Sequence, residues 1–299
     1  MTGLRKHCWL VLFAVACSGS TDFAPYLGQE PPGDTPALFA PGIVSTDQRE
    51  LNSIFTPDGR EFYFSIADSA GATVMVTRWA DSIWTDPAPV SFSSGHGEVD
   101  PFISPDGSRL FFGSRRPLHS EEPESGWQIW VVNRLGSGWG EPEPLGGAVN
   151  SGERQIYPSV AADGTLYFQS IRDGTLGESD IFLSRLEDGE YRQVENIGPP
   201  INSEYAEGDV YIAPAQDYII FVSSDRPGGF GQGDLYISFR LPDGTWSTPT
   251  NLGPTINTER TDYCPVVSPD GRYFFYSSGG DVYWMEAGFI AEMRNESLP

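Results

Sequence analysis

Apolar residues along this chain fall in short runs, not in helical stripes. Phe62-Tyr63-Phe64, Leu110-Phe111-Phe112, Leu166-Tyr167-Phe168, Ile219-Ile220-Phe221 and Tyr273-Phe274-Phe275 are nearly continuous apolar triplets. Such a run, bounded by turn residues, reads as a strand covered on both faces. Each is preceded by a shorter apolar piece: Ile54-Phe55, Phe102-Ile103, Ser159-Val160, Tyr211-Ile212 and Val266-Val267. Between the two lies a turn signal, Pro57-Asp58-Gly59, Pro105-Asp106-Gly107, Ala162-Asp163-Gly164 and Pro269-Asp270-Gly271, weakened to Ala215-Gln216-Asp217 in the fourth case. An Asp-Gly pair between apolar runs predicts a hairpin. A third piece follows: Val74-Met75-Val76, Ile129-Trp130-Val131, Ile181-Phe182-Leu183, Leu235-Tyr236-Ile237 and Val282-Tyr283-Trp284. A fourth follows Trp84, Trp139, Tyr191 and Trp246 and leaves through Pro-rich text.

These pieces recur in register. Ser45, Ser93, Asn150, Asn202 and Asn257 stand at intervals of 48, 57, 52 and 55 residues, which defines five units of four strands. Strands apolar on both faces exclude a one-sided open sheet. Four-stranded units packed face to face around an axis form a β-propeller, which leaves few exposed edges. The expected fold is therefore all-β, a five-bladed β-propeller. The fifth unit lacks a fourth strand, whereas Pro36-Ala37-Leu38-Phe39-Ala40-Pro41-Gly42 matches the exit text of the other units. This segment is expected to close the ring by pairing near Val282 to Met285, because an open stack would leave costly edges. A short helix is predicted near residues 287–295.

The repeat P-x-x-S-P-D-G, an aromatic strand, S-x-R-P-G-G, D-L-Y and G-x-W resembles the TolB-type, WD-like β-propeller repeat, over essentially Pro36 to Met293. The resemblance implies a fold and says little about function. The α/β domain that precedes the propeller in TolB has no counterpart in this sequence. Neither has the catalytic domain that accompanies similar repeats in prolyl-oligopeptidase-like enzymes. Their roles are not expected to carry over.

Composition adds an address. Arg5 and Lys6 precede a short apolar core, Cys8 to Ala16, too short to span a bilayer. Ala14-Val15-Ala16-Cys17 resembles a bacterial lipoprotein box, although Ala-Val-Ala also satisfies ordinary signal cleavage after Ala16. The division expected is a signal peptide at 1–16, a lipidated Cys17 with a tether over 17–35, and one propeller over 36–299. Ser18 after the cysteine resembles lipoproteins sent to the outer membrane. The expected location is thus a periplasm-facing outer-membrane lipoprotein or the cell surface, with membrane contact only through the lipid. Cys264 stands alone in a predicted strand and reads as a small buried hydrophobe.

The formal net charge is −23, and Lys6 is the only lysine. Such a balance repels nucleic acid and anionic headgroups. No G-x-S-x-G elbow and no paired-histidine metal motif occurs; His96 and His119 lie in loops. No catalytic residue, metal or cofactor is assigned, and the chain is expected to be a monomer that binds an envelope protein or a glycan. Ser114-Arg115-Arg116, Ser170-Ile171-Arg172 and Ser224-Asp225-Arg226 end three second strands, and Asp180 and Asp234 open third strands. Their repetition predicts Arg–Asp pairs holding each loop within its blade. Trp84, Trp139, Tyr191 and Trp246 read as packing anchors for the same reason.

The sharpest candidate is a column five residues after each anchor: Glu50, Glu98, Gln155, Glu207 and Asp262. It enters the innermost strand, so the five side chains are expected near one mouth of the channel. A carboxylate ring there suits a cation, an amine or a basic peptide. Alternatively each acid accepts backbone N–H groups at a blade junction. The function expected is a non-catalytic extracytoplasmic binding or scaffold propeller. The competing reading is a glycan-binding or glycoside-hydrolysing propeller, whose chemistry needs two carboxyls at a set separation.

Overall fold

The apolar triplets do become strands with no exposed face. The computed structural model describes residues 26–69, 71–118 and 126–297. The signal segment, Cys17 and His119 lie outside them. Phe62, Tyr63, Phe64, Leu110, Phe111, Phe112 and Phe221 have no solvent-exposed surface. Each sits in the second strand of an antiparallel blade, between its own sheet and the next.

Five such sheets form the ring. The innermost strands are Arg49–Phe55, Glu98–Ile103, Arg154–Val160, Ala206–Ile212 and Asp262–Val267, in blades 1 to 5. They neighbour one another in a closed circle, the first touching the last. The fold is a five-bladed β-propeller. Closure is as the sequence predicts. Ala37–Leu38 pairs with Asp281–Glu286, Ala37 opposite Trp284 and Leu38 opposite Tyr283. Phe39 N donates to Val282 O at 2.8 Å, and the fully buried Phe39 ring meets Phe62, Phe275 and Trp284 at 5.0–5.1 Å between centroids. Packing begins earlier than the predicted boundary at Pro36. Tyr26 and Leu27 are buried, and the Tyr26 hydroxyl donates to Asp270 at 2.8 Å. From Tyr26 onward the segment predicted as tether therefore packs on the propeller.

The anchor column works as a clamp. Asn150, Asn202 and Asn257 each place an amide against the third strand of the preceding blade. Asn202 accepts from Ile181 N at 3.0 Å and donates to Ile181 O at 2.8 Å; Asn257 does the same to Leu235 at 2.8 and 3.0 Å. A side-chain amide mimics a backbone edge, so it satisfies a strand that would otherwise end unpaired. The inter-strand turns need a left-handed residue after Asp: Gly59, Gly107, Gly164 and Gly271 have φ between +67° and +87°. In blade 4 that place is taken by Gln216, φ +56°, whose N donates to Ala213 O at 2.8 Å. The turn there is one residue earlier than its sequence suggests. Gln216 is held by Tyr167 and Asp163 of blade 3, at 2.7 and 2.8 Å. The predicted C-terminal helix is present as Phe289–Ser297, with Phe289 on Phe274 and Arg294 on Asp217.

The tryptophan column packs as expected. Trp139 is buried and donates to the Tyr63 hydroxyl of the neighbouring blade at 2.8 Å. Tyr191 reaches Gly164 O at 2.8 Å, and Trp246 lies beneath Arg240.

Candidate functional site

Two concentric rings of side chains surround the start of the innermost strands. The outer one is the column singled out above, whose acids bond to their own loops, while Glu207 also borders the depression at the axis. Glu50, Glu98, Gln155, Glu207 and Asp262 are all fully buried. Glu207 accepts from Ser203 N at 2.8 Å, Ser203 Oγ at 2.5 Å, Ser223 Oγ at 2.8 Å and Arg226 Nη2 at 3.1 Å. Glu98 does the same with Ser94 N, Ser93 Oγ and Arg116 Nη2, each at 3.0 Å. Glu50 takes Thr46 N at 3.3 Å and the Thr46 hydroxyl, and Asp262 takes Thr258 N at 2.6 Å. Burial pushes the Asp262 carboxyl upward against these bonds. Each acid thus caps the loop four residues before it. Gln155 is the exception: neither amide atom has a partner among the described residues.

The arginines pair differently from the sequence expectation. Arg116 and Arg226 bind Glu98 and Glu207 on the innermost strand. Asp180 and Asp234 instead accept backbone N–H groups of their own loops: Leu176 N at 2.8 Å for Asp180, Phe230 N at 2.6 Å and Gly231 N at 3.0 Å for Asp234. The Asp faces a tight turn whose N–H groups point inward. The longer arginine crosses to the neighbouring strand.

The inner ring escaped the sequence reading. Asn52, Asp100, Tyr157, Asp209 and Cys264 stand two residues after the outer column, and all five are left-handed, with φ from +44° to +57°. At each one the pairing with the second strand skips, a β-bulge repeated five times. A bulge leaves one residue unpaired and re-aims its side chain. Here it sends five side chains toward one another across the blades. Asn52 Nδ2 donates to Asp100 Oδ1 at 3.4 Å, and Tyr157 N to Asp100 Oδ2 at 3.4 Å. Cys264 N donates to Asp209 Oδ2 at 3.2 Å, with its Sγ 3.6 Å from the same oxygen. Burial, together with the charge of Asp209, pushes the Asp100 carboxyl up to about 8. Burial pushes Asp209 up to about 7 despite the bonds from Cys264. Burial also raises the Cys264 thiol, so it is a poor nucleophile. The space among these residues is about 10 Å³, room for a single water at most.

Above the inner ring the channel opens into a depression of about 240 Å³, with Arg49, Tyr157, Gln169, Asp209 and Tyr263 among its walls. The Arg49 guanidinium lies 3.5 Å from the Tyr263 hydroxyl and 6.0 Å from its ring centroid. The opposite mouth is a separate, mostly apolar hollow of about 210 Å³ lined by Ile54, Phe102, Tyr211 and Val266. Among the described residues no group of three or more His, Cys, Asp or Glu could hold a metal ion, and no helix is long and apolar enough to cross a membrane. His96 is half-buried in the loop before Glu98.

Five blades closed by the N-terminal strand, with a polar mouth at the axis, define a β-propeller of the TolB-like fold. Comparison with protein-family models and with curated proteins gave no match. Among solved structures the chain is similar to a TolB from Agrobacterium tumefaciens (TM-score 0.51, 18% identity, covering 78% of this chain and 71% of that one). It is also similar to TolB from Acinetobacter baumannii (TM-score 0.53, 15% identity, 81% of this chain), of which it spans only 55%. A glycoside hydrolase is similar over 88% of this chain and 93% of its own, with TM-score 0.58 and 12% identity. At these identities the likeness is one of fold.

Proposed function

We propose that this protein is a non-catalytic binding propeller of the cell envelope, tethered through Cys17, that receives a protein partner at the mouth where the innermost strands begin. The observation that carries the reading is the depression walled by Arg49, Tyr157, Asp209 and Tyr263 at the axis. It joins a cation, two aromatic rings and a carboxylate on strands held rigidly by the anchor clamps. Aromatic and Arg side chains on a rigid frame are the usual anchors of protein interfaces. The attachment point of the chain supports the geometry. Tyr26 is fixed beside Asp270, in a turn at the far end of the innermost strands. The described chain thus enters the ring at Tyr26, on the side opposite the polar mouth.

The second reading is glycoside hydrolysis, and Asp100 and Asp209 favour it, since two carboxyls with raised pKa values face one axis. The space between them holds at most a water, so a sugar would have to react above Asp209. The test uses the soluble domain as bait on detergent-solubilised envelope, wild type beside Arg49→Glu and Tyr263→Ala. A partner retained by wild type and lost from both variants supports the binding reading; identical capture by all three removes it. A polysaccharide panel run in parallel, with turnover abolished in Asp209→Asn, would establish the hydrolase instead.

A further inference from the structure

Blade 3 breaks the clamp that blades 2 and 4 share. In those blades an arginine at the end of the second strand meets a serine, a loop carbonyl and the innermost-strand glutamate: Arg116 with Ser114, Phe92 O and Glu98, and Arg226 with Ile201 O, Ser203 and Glu207. Arg172 occupies the same position. Its Nε donates to Ser170 Oγ at 2.8 Å, its Nη1 to Ala148 O at 3.1 Å and its Nη2 to Val149 O. The glutamate is replaced by Gln155, so no described carboxylate pairs with this guanidinium. Burial alone acts on Arg172 and pushes it down to about 10. Three of its five N–H donors are used, which leaves two and the whole positive charge.

The loop has changed with it. Val149–Ser151 forms a short 3-10 turn, and Ser151 donates to Ala148 O at 3.2 Å, not to residue 155 as its counterparts do. Gly152 then forms the wall in front of the unpaired Gln155 amide. A Cβ at Gly152 would lie 2.6 Å from Gln155 Nε2 and 2.9 Å from Ser170 Oγ. Beside this wall runs an open groove of about 750 Å³. Phe182 and Val194 provide apolar lining, Asn196 is an amide, and Glu153 and Asp173 stand at its rim. The Arg172 charge lies 5.1 Å from the Phe182 ring centroid.

We propose that this groove binds the carboxylate of a polyhydroxylated acid, a uronate sugar, with Arg172 as its anchor. The carboxylate replaces the glutamate that the sister blades supply from within. A bare anion would be repelled by Glu153, Asp173 and the net charge of −23. A uronate turns the first two into acceptors for its hydroxyls, and Val194 and Asn196 line the space that its ring would take. The site lies on the blade 3 rim, apart from the axial mouth, and stands whether or not that mouth binds a partner.

The experiment titrates the folded domain with D-galacturonate and with uncharged D-galactose, followed by NMR shifts and calorimetry. Saturable binding of galacturonate and none of galactose is expected. Arg172→Gln should weaken the affinity at least about tenfold, the loss of one charge-assisted contact. Gln155→Glu is the sharper variant, because it rebuilds the sister-blade ion pair and competes with the ligand from inside. It should fold, keep its melting temperature or raise it, and lose galacturonate binding. The proposal is overturned if wild type binds no galacturonate, if galactose binds as well, or if Gln155→Glu folds and binds galacturonate like wild type.

Discussion

Glu207→Gln separates a structural carboxylate from one held for a ligand. The substitution changes one oxygen to NH2 and leaves the volume intact, so no cavity term enters. Glu207 is fully buried and accepts four hydrogen bonds, three of them on Oε1. If the amide oxygen stays at the Oε1 position, the NH2 group confronts Ser203 N–H and that bond is lost. If the amide flips, the NH2 group confronts Arg226. In both cases Arg226, with only 15% of its side chain exposed, loses its counter-charge. A bond to a charged group contributes about 1.5–3 kcal/mol, and removing one member of a buried pair costs about 3–5 kcal/mol. Because the amide retains one acceptor, about 2–3 kcal/mol of destabilisation is expected. Urea denaturation of wild type, Glu207→Gln, Arg226→Met and the double variant measures it, with an unchanged slope required for the comparison. A coupling of more than about 1 kcal/mol between the two sites is expected. An unchanged or higher midpoint for Glu207→Gln would refute the reasoning. It would mean that the acid is held against repulsion and belongs to a ligand.

The axial pair gives a pH signature. Asp100 and Asp209 hold protons up to about 8 and about 7 when folded, against an ordinary value of 3.8, so the unfolded chain loses those protons first. Their contribution to stability is therefore full below pH 4 and falls as pH rises toward 8. Asp100→Asn should be nearly neutral at or below about pH 4 and increasingly stabilising relative to wild type as pH rises toward 8; equal differences at about pH 4 and about pH 8 would contradict this. Closure depends on Phe39, and Phe39→Ala should cost about 3–5 kcal/mol in a denaturation series. Deleting residues up to Ile43 should expose the Asp281–Glu286 edge and drive aggregation, visible by light scattering; a monomeric deletion variant with an unchanged melting temperature would contradict the closure. Cys17→Ala should move the protein from the membrane to the soluble fraction on cell fractionation, and unchanged membrane association would rule out the lipid anchor.

The five units, four of the five hairpin turns, the N-terminal strand that completes the last blade and the terminal helix could all be read from the sequence. These follow from local physics. Strands apolar on both faces need two neighbours, an Asp-Gly pair admits a left-handed turn, and a missing fourth strand leaves an edge that the Pro36-to-Gly42 text matches. The outer carboxylates were legible too, as a column at fixed spacing, and their capping of Ser and Thr loops follows from that spacing. Direction across the blades, by contrast, depends on packing. The inner ring shares a position but not a chemistry, with Asn, Asp, Tyr, Asp and Cys in turn, so no residue type marked it. Its polar side chains in an otherwise apolar strand were the one available signal. A bulge shows in the register between two strands, not in the composition of one, and it is the bulge that turns Asp100 and Asp209 toward the axis. The partners of Arg116 and Arg226 were hidden for the same reason. A guanidinium on a long stem reaches acceptors far from it in the chain, and only packing settles which carboxylate lies within its reach.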